Sequence, residues 1–150
     1  RVIWLTGQSG SGKTALARIL AKKLGAVVLD GDEMRESISR GAGFSKKERG
    51  LHNLRVAQLA RVLARQSPVV VSVIAPFATT RRKIDAICKP VWVYIKRDVS
   101  VRKNYPYEPP KNPHFTVDSD FASPQKNAAR VYSFLQRLSS RSFPRKGKNP

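Results

Sequence analysis

The stretch GQSGSGKT, residues 7–14, places its glycine, lysine and threonine residues at a spacing that binds phosphate. A glycine, four residues and then Gly-Lys-Thr form a loop whose backbone N–H groups turn toward the β-phosphate of a nucleotide. The lysine of such a loop spans the β- and γ-phosphates, and its threonine hydroxyl ligates Mg²⁺. The sequence therefore predicts a nucleotide triphosphate site, with Thr14 as the Mg²⁺ ligand, formed by Gly7, Ser9, Gly10, Ser11, Gly12, Lys13, Thr14 and Ala15.

Two acidic residues, Asp30 and Asp32, follow an apolar stretch in the sequence AVVLDGDEMR. They stand at the carboxyl end of a predicted strand, which is where ligands bind in open α/β sheets. Asp32 either caps the helix that follows, or it accepts the proton of an attacking hydroxyl or orients that hydroxyl. Arg35, one helical turn further on, lies either on the surface or beside the charge of an acceptor. We predict Lys13, Asp32 and Arg35 as the catalytic residues.

The segment GFSKKERGLHNLRVAQLARVL, residues 43–63, has the spacing of an amphipathic helix. A helical projection predicts an apolar face that consists of Leu51, Leu59 and Val62. Arg55 falls between these residues, where a basic side chain is unfavourable without an anion partner. The partner is either an acceptor or one of the two acids described above, since buried charges are paired. Arg49 and His52 share a neighbouring face of the same helix.

These residues need a layered scaffold to bring them together. Apolar runs without strict alternation predict strands that are covered on both faces, as in a parallel sheet, at residues 2–5, 26–30, 69–74 and 90–96. Helical spacing lies between them at residues 13–23, 33–40, 47–66 and 79–87. Strands that alternate with helices predict an α/β fold with right-handed crossovers.

Residues 98–123 interrupt this alternation. The segment is rich in proline, which has no N–H to donate to a helix or a sheet, so we expect irregular structure there. Ser123 then caps a further helix that has Pro124 at its first position and runs to about residue 138. We predict one domain over residues 1–139 and a basic tail over residues 140–150.

Composition narrows the class of protein. A hydrophobic content of 41% is typical of a globular chain, and no apolar run approaches the roughly 20 residues of a membrane helix. Cys88 is the single cysteine, which excludes an internal disulfide and a cysteine metal cluster, and we expect a cytoplasmic location. His52 and His114 are too few for a metal site.

The net charge of +19, from 29 Lys and Arg against 10 Asp and Glu, is unusually high. Such a charge favours polyanionic partners, although a solvated basic surface is the alternative. On the last predicted helix the basic residues form one stripe: Lys126, Arg130, Arg137 and Arg141. The opposite face carries Ala128, Val131, Leu135 and Leu138, and further basic residues follow at Arg145, Lys146 and Lys148. Phosphate tracking along nucleic acid is the expected use of such a stripe.

Five motifs together resemble one enzyme family. GQSGSGKTALA, LDGDEMR, GFSKKER, VVVSVIAPF followed by Arg81, and YPYEPPKNP occur in the order that is seen in adenylylsulfate kinases. The resemblance extends from about residue 2 to residue 121. It implies a three-layer α/β/α sandwich with about five parallel strands, and transfer of the γ-phosphate of ATP to a hydroxyl in the presence of Mg²⁺.

The resemblance also assigns residues to the two substrates. On the acceptor side it implies Asp32, Arg35, Phe44, Arg49, His52, Ile74 and Pro76, to which the helical projection adds Arg55. In a lid over the ATP phosphates it implies Arg102 and Lys103. The sequence departs from the family where RDVSVRKN joins YPYEPP directly, so that roughly a dozen lid residues of the family are absent, and where paired arginines are reduced to Leu54-Arg55.

A shortened lid and a strongly basic chain favour a polymeric acceptor. We expect a DNA partner, with phosphate transferred to the hydroxymethyl group of a modified base, because the chain also resembles the compact 5-hydroxymethyluridine DNA kinases of bacteriophages. The location would then be the host cytoplasm. The main alternative is an adenylylsulfate kinase that makes 3′-phosphoadenylylsulfate. A 5′-hydroxyl polynucleotide kinase and a nucleotide-binding module without catalysis are further alternatives. The sequence does not specify an oligomeric state.

Overall fold

Five parallel strands form the central sheet of the chain, whose computed structural model describes residues 1–98 and 105–142. The strands are β1 Val2–Thr6, β2 Val27–Asp30, β3 Val69–Ser72, β4 Val91–Lys96 and β5 Phe115–Asp118. Their order across the sheet is β2-β3-β1-β4-β5, and every neighbouring pair is parallel. All residues of β1 and β3 are buried, which explains why these strands are apolar without alternation.

Helices cover both faces of the sheet. They are α1 Lys13–Leu24, α2 Gly31–Glu36, α3 Lys46–Leu63, α4 Ala78–Cys88 and α5 Pro124–Ser142. On one face, α1 and α5 pack through residues such as Leu16, Leu20 and Leu135. On the other face, α3 and α4 pack through Val56 and Ile84. The predicted three-layer α/β/α sandwich is therefore confirmed.

A pair of tryptophans lies in the core between the sheet and helices α3 and α4. The ring centroids of Trp4 on β1 and Trp92 on β4 are 5.4 Å apart, at an angle of 39°. Each indole N–H has a partner: Trp4 Nε1 donates to the Val73 carbonyl at 2.9 Å, and Trp92 Nε1 donates to Asp85 Oδ1 at 2.7 Å. Trp4 thereby ties the central strand to the segment that follows β3.

The fifth strand lies inside the segment that was expected to be irregular. Residues 115–118 pair with β4 in parallel register, and Val117 is buried at 1% exposure. The prolines of this segment end at Pro113, so each residue of the strand retains its N–H. The expectation of irregular structure is wrong here because only the proline-rich part of residues 98–123 lacks the donors that a sheet requires.

Helix α3 packs through a different face from the predicted one. Its buried residues are His52, Asn53, Val56, Ala57 and Ala60, whereas Leu51 and Val62 are 44% and 51% exposed. Arg55 is also exposed. The prediction that Arg55 lies in a buried apolar face is therefore wrong. Of the three predicted apolar residues, Leu59 is partly buried against the core, as are Leu54 and Leu63, whereas the fully buried positions of the helix include the small residues Ala57 and Ala60.

Helix α5 has the predicted orientation. Its basic residues Lys126, Arg130, Arg137 and Arg141 are exposed, and Ala128, Val131 and Leu135 are buried. The helix continues to Ser142, beyond the expected end near residue 138. Arg145, Lys146 and Lys148 lie outside the residues that the structure describes. Within the described ranges, no helix has the length and apolar character needed to cross a membrane.

Candidate active site

The phosphate-binding loop connects β1 to α1, as the motif requires. Gly12 is the N-cap of α1 and has a φ of 90°, a left-handed conformation that glycine adopts without strain. A Cβ at Gly7 would lie 2.6 Å from the carbonyl oxygen of Ile95, so this position also requires glycine. The loop therefore presents its backbone at the positive end of the α1 dipole, where phosphate binds readily.

Lys13 is held inside this loop. Its Nζ donates to the carbonyl oxygens of Gly7 at 2.9 Å and Gln8 at 2.8 Å, and to Ser11 Oγ at 3.3 Å. The side chain is only 8% exposed. Burial lowers the pKa of Lys13 from 10.5 to about 8, against the opposing effect of Asp30. Nucleotide phosphates would favour the charged form of this amine, since opposite charges attract strongly in a buried site.

Two residues that follow strands β4 and β5 support the phosphate-binding loop. Ser119, just after β5, donates from its Oγ to the Ser11 carbonyl at 2.8 Å. Arg97, just after β4, donates to the Gly10 carbonyl at 2.7 Å and pairs with Asp120 at 3.7 Å. Neither Arg97 nor Ser119 was predicted from the sequence. The pattern that predicts them is their position directly after parallel strands, whose carboxyl ends share one edge of the sheet.

Oxygen ligands suited to Mg²⁺ meet between α1 and β2. Thr14 Oγ1 donates to Asp30 Oδ1 at 3.3 Å, and both residues line the same cavity. Hydroxyl and carboxylate oxygens fit Mg²⁺, which commonly takes one or two protein ligands together with substrate phosphates. Over residues 1–98 and 105–142, no group of three or more His, Cys, Asp or Glu residues gathers as a metal cage. Thr14 was predicted as a Mg²⁺ ligand, whereas Asp30 was predicted at the ligand-binding edge of the sheet, or as an ion-pair partner of Arg55, and not as a metal ligand.

The structure also separates the two acids of the DGD sequence. Asp30 is the N-cap of α2, and its Oδ2 accepts a hydrogen bond from the N–H of Asp32 at 3.2 Å. The capping role that was considered for Asp32 therefore belongs to Asp30. Asp32 lies in the first turn of α2, is exposed, and lines the cavity.

Phe44 forms an exposed aromatic surface opposite the loop. The ring is 65% exposed, and the guanidinium carbons of Arg35 and Arg49 lie 4.3 Å and 5.3 Å from its centroid. Arg35 also donates to the Gly43 carbonyl at 3.0 Å, and Arg49 Nε donates to the Phe44 carbonyl at 2.7 Å. Glu48 accepts from the Gly43 N–H at 3.0 Å. These contacts hold two cations close to one exposed aromatic ring.

The buried imidazole of His52 lies behind this surface. His52 Nδ1 is 2.7 Å from Ser39 Oγ, and the residue is 3% exposed. Burial, together with the nearby charges of Arg35 and Arg55, lowers the pKa of His52 to about 4. The ring is therefore neutral at physiological pH. Arg55 donates to the same Ser39 Oγ at 3.3 Å and lies outside the cavity wall, so its assignment to the acceptor stays a prediction.

One cavity of about 660 Å³ brings most of the predicted residues together. Its lining includes Ser9, Gly10, Gly12, Lys13, Thr14, Ala15, Asp32, Arg35, Phe44, Arg49, His52, Ile74 and Pro76. Gly7 and Ser11 are buried within the loop, and Arg102 and Lys103 lie outside the described residues. The wall also contains residues that were not predicted: Asp30, Gly31, Asn53, Ser72, Val73, Ala75, Arg97 and Tyr105. The phosphate loop and the residues predicted for the acceptor thus line one cavity, an arrangement that allows direct transfer between two bound substrates.

Comparisons with known proteins agree with this arrangement. The family model of adenylylsulphate kinase matches residues 1–106. The chain is 36% identical to the adenylyl-sulfate kinase of Chloroflexus aurantiacus, over 91% of this chain and 89% of the relative. It is 34% identical to that of Deinococcus deserti, over 90% and 91%. The structure of the Mycobacterium tuberculosis APS kinase CysC in complex with AMPPNP and APS superposes with a TM-score of 0.79 at 27% identity, covering 91% of this chain and 97% of that one.

These similarities overturn the prediction of a DNA acceptor, and with it the predictions of DNA binding and DNA modification. That prediction depended on the net charge and the short lid, whereas the relatives match almost the whole chain as adenylyl-sulfate kinases. Net charge describes the field around a molecule and does not select the group that enters its cavity. The protein is an ATP-dependent phosphotransferase that acts on a hydroxyl, with ATP as donor and Mg²⁺ as its metal. The chain belongs to the adenylylsulfate kinase family.

Proposed function

We propose that the chain transfers the γ-phosphate of ATP to the 3′-hydroxyl of adenylylsulfate and so makes 3′-phosphoadenylylsulfate. The observation that carries the proposal is the surface at Phe44, which lines the same cavity as the phosphate loop. An exposed aromatic ring with Arg35 and Arg49 close to it fits an adenine nucleotide with an anionic tail. The ring face stacks on a base, and the guanidinium groups attract the phosphosulfate.

On the donor side, the loop holds the triphosphate of ATP. The backbone N–H groups of residues 9–15 point to the phosphates at the start of α1, and Lys13 places its ammonium against the β- and γ-phosphates. Thr14 and Asp30 are the residues that would hold Mg²⁺, which neutralises charge on the phosphate oxygens when it is bound. These groups stabilise the negative charge that moves to the leaving oxygen of ADP.

On the acceptor side, Asp32 meets the hydroxyl. The bond from the 3′-oxygen to the γ-phosphorus forms as the bond to the β–γ bridging oxygen breaks, and the hydroxyl proton must leave. Asp32 lies near the loop and accepts that proton or orients the hydroxyl toward the γ-phosphorus. Arg35 lies one turn away, against Phe44, and balances the charge of the acceptor. His52, Ile74 and Pro76 complete the wall that holds the acceptor.

The test uses purified protein with ATP, Mg²⁺ and adenylylsulfate. We expect ADP and 3′-phosphoadenylylsulfate to form in equal amounts, as resolved by ion-exchange chromatography. Adenosine 5′-phosphate, which lacks the sulfate, is the matched control acceptor, and we expect it to be phosphorylated far more slowly. ADP formation without a phosphorylated sulfonucleotide would contradict the proposal.

A further inference from the structure

The acceptor wall contains residues 73–76, and all four of their backbone carbonyl groups accept hydrogen bonds from other residues of the protein. Each of the four accepts a hydrogen bond from a different residue. In order along the segment, the donors are Trp4 Nε1 at 2.9 Å, Thr6 Oγ1 at 2.6 Å, Arg81 Nη1 at 2.8 Å and the Glu108 N–H at 2.8 Å. This four-residue segment of the connection between β3 and α4 is thus fixed by β1, α4 and the segment before β5.

Ala75 within this segment has an unfavourable backbone. Its φ is 49°, in the left-handed region that L-residues other than Asn and Asp rarely adopt. It also precedes Pro76, and a proline restricts the residue before it to extended conformations. Both residues line the cavity. A strained turn at a substrate wall persists only where the surrounding contacts hold it in place.

Arg81 provides the contact to the strained residue itself. It lies in the first turn of α4 and is only 7% exposed. Its Nη1 donates to the Ala75 carbonyl at 2.8 Å and its Nη2 to the Glu108 carbonyl at 2.7 Å. Both bonds go to backbone carbonyls rather than to a carboxylate. Burying a guanidinium is costly unless its N–H groups are hydrogen-bonded, so these two bonds hold the side chain against both carbonyls.

Tyr107 extends the same network to the segment that returns toward β5. Its hydroxyl is 2.9 Å from Thr6 Oγ1, the group that donates to the Ile74 carbonyl. Its ring stacks on Tyr94 at 6.2 Å, and the Arg81 guanidinium lies 5.9 Å from the ring centroid. Burial raises the pKa of Tyr107 to about 12, so the hydroxyl remains a donor at physiological pH. The strained turn and residues 107–108 therefore form one unit around Arg81.

We infer that Arg81 is a positioning residue for the acceptor. Its guanidinium donates to two carbonyls and thereby holds the Ala75 turn against residues 107–108. This contact sets the distance of the acceptor wall from the phosphate loop. It acts through the backbone and touches neither substrate. The identity of the acceptor, adenylylsulfate, rests on the proposed function, whereas the positioning role depends on the geometry of the turn.

The first test compares Arg81→Lys with the neighbouring Arg82→Met, a control that removes an exposed charge from the same helix. Lysine keeps the charge but cannot bond two carbonyls in the fixed geometry of arginine. We expect the KM for adenylylsulfate to rise by about tenfold or more, because a hydrogen bond from a charged group is lost. The KM for ATP should stay within about twofold in both variants. An equal rise in both KM values would overturn the inference.

The second test removes the strain. Ala75→Gly permits a φ of 49° without a Cβ clash, so the turn no longer depends on Arg81 to the same extent. We expect Ala75→Gly to recover part of the lost acceptor KM in the Arg81→Lys background. A double variant whose acceptor KM is no lower than that of Arg81→Lys would show that Arg81 does not act through this turn.

A third measurement is independent of the acceptor. Hydrogen exchange followed by mass spectrometry should show faster exchange at residues 73–77 and 105–108 in Arg81→Met, with the phosphate loop unchanged. If the wild-type protein fails to phosphorylate adenylylsulfate while this pattern appears, the proposed function is wrong and the positioning role stands. Unchanged exchange at residues 73–77 would refute the positioning role even where adenylylsulfate is phosphorylated.

Discussion

The buried ammonium of Lys13 makes the stability of the nucleotide-free protein depend on pH. The pKa of this group is 10.5 in the unfolded chain and about 8 in the folded one. Between these two values the unfolded state holds the extra proton, so the free energy of unfolding rises with pH. Below about pH 8 both states are protonated, and the full cost of burying the charge is present. The experiment therefore raises the pH and compares the free energy of unfolding of the wild-type protein with that of a Lys13→Met variant, which lacks the amine.

The difference between the two pKa values sets the expected change in the free energy of unfolding. Each pH unit between the two pKa values changes the free energy of unfolding by about 1.4 kcal/mol. From pH 7 to 9.5, the wild-type protein should gain about 2 kcal/mol relative to Lys13→Met. Solvent screens this charge little, because the side chain is only 8% exposed. Every other ionisable group is common to both proteins, so its contribution cancels in the comparison.

The assay is urea unfolding of both proteins at several values of pH, with a chelator and without nucleotide. The difference between their free energies of unfolding should change through the window above pH 8. A non-hydrolysable ATP analogue should flatten that change in the wild-type protein, because phosphates stabilise the protonated amine. A difference that stays constant from pH 7 to 9.5 would refute the argument that burial dominates at Lys13.

Three substitutions test the two sides of the cavity. Asp32→Asn should lower kcat by at least about 100-fold with near-normal ATP binding, because the carboxylate acts on the acceptor hydroxyl. Single-turnover kinetics measure this effect, and an unchanged kcat would exclude Asp32 from the chemistry. Phe44→Ala should raise the acceptor KM by about tenfold and leave the KM for ATP unchanged, as the loss of a base stack predicts; steady-state kinetics would contradict the stacking role if both values moved together. Ser119→Ala should raise the KM for ATP by about threefold, since it removes one hydrogen bond to the phosphate loop. ATP titrations that match wild type would show that the loop does not need this support.

The sequence predicts the features whose cause is local. The loop at residues 7–14 follows from glycine spacing, and a φ of 90° at Gly12 is one reason for that spacing. The β1 and β3 strands follow from apolar runs that are buried on both faces. The exposed basic face of α5 follows from helical periodicity.

Features that depend on distant parts of the chain were missed. Strand β5 has only four residues and becomes recognisable through its register with β4. Arg97 and Ser119 reach the phosphate loop from strands that are remote in sequence. The buried face of α3 depends on how closely Ala57 and Ala60 approach the sheet. None of these distances is encoded in a local pattern.

The acceptor was the largest error, and its cause is physical. The charge of +19 is a sum over the whole chain, whereas substrate choice depends on a few side chains in one cavity. Phe44, Arg35 and Arg49 were all named from the sequence, but the close approach of both guanidinium groups to the ring emerges only from the fold.

The Trp4–Trp92 pair contains all the tryptophan fluorescence of the protein in one place. These are the only two tryptophans in the chain, and their rings lie 5.4 Å apart in the buried core. Indoles this close and inclined at 39° couple their electronic transitions, so we expect an intense near-ultraviolet circular dichroism band and blue-shifted emission. Because the Trp4 N–H bonds the Val73 carbonyl at the edge of the acceptor wall, substrate binding there should alter the emission without any introduced label.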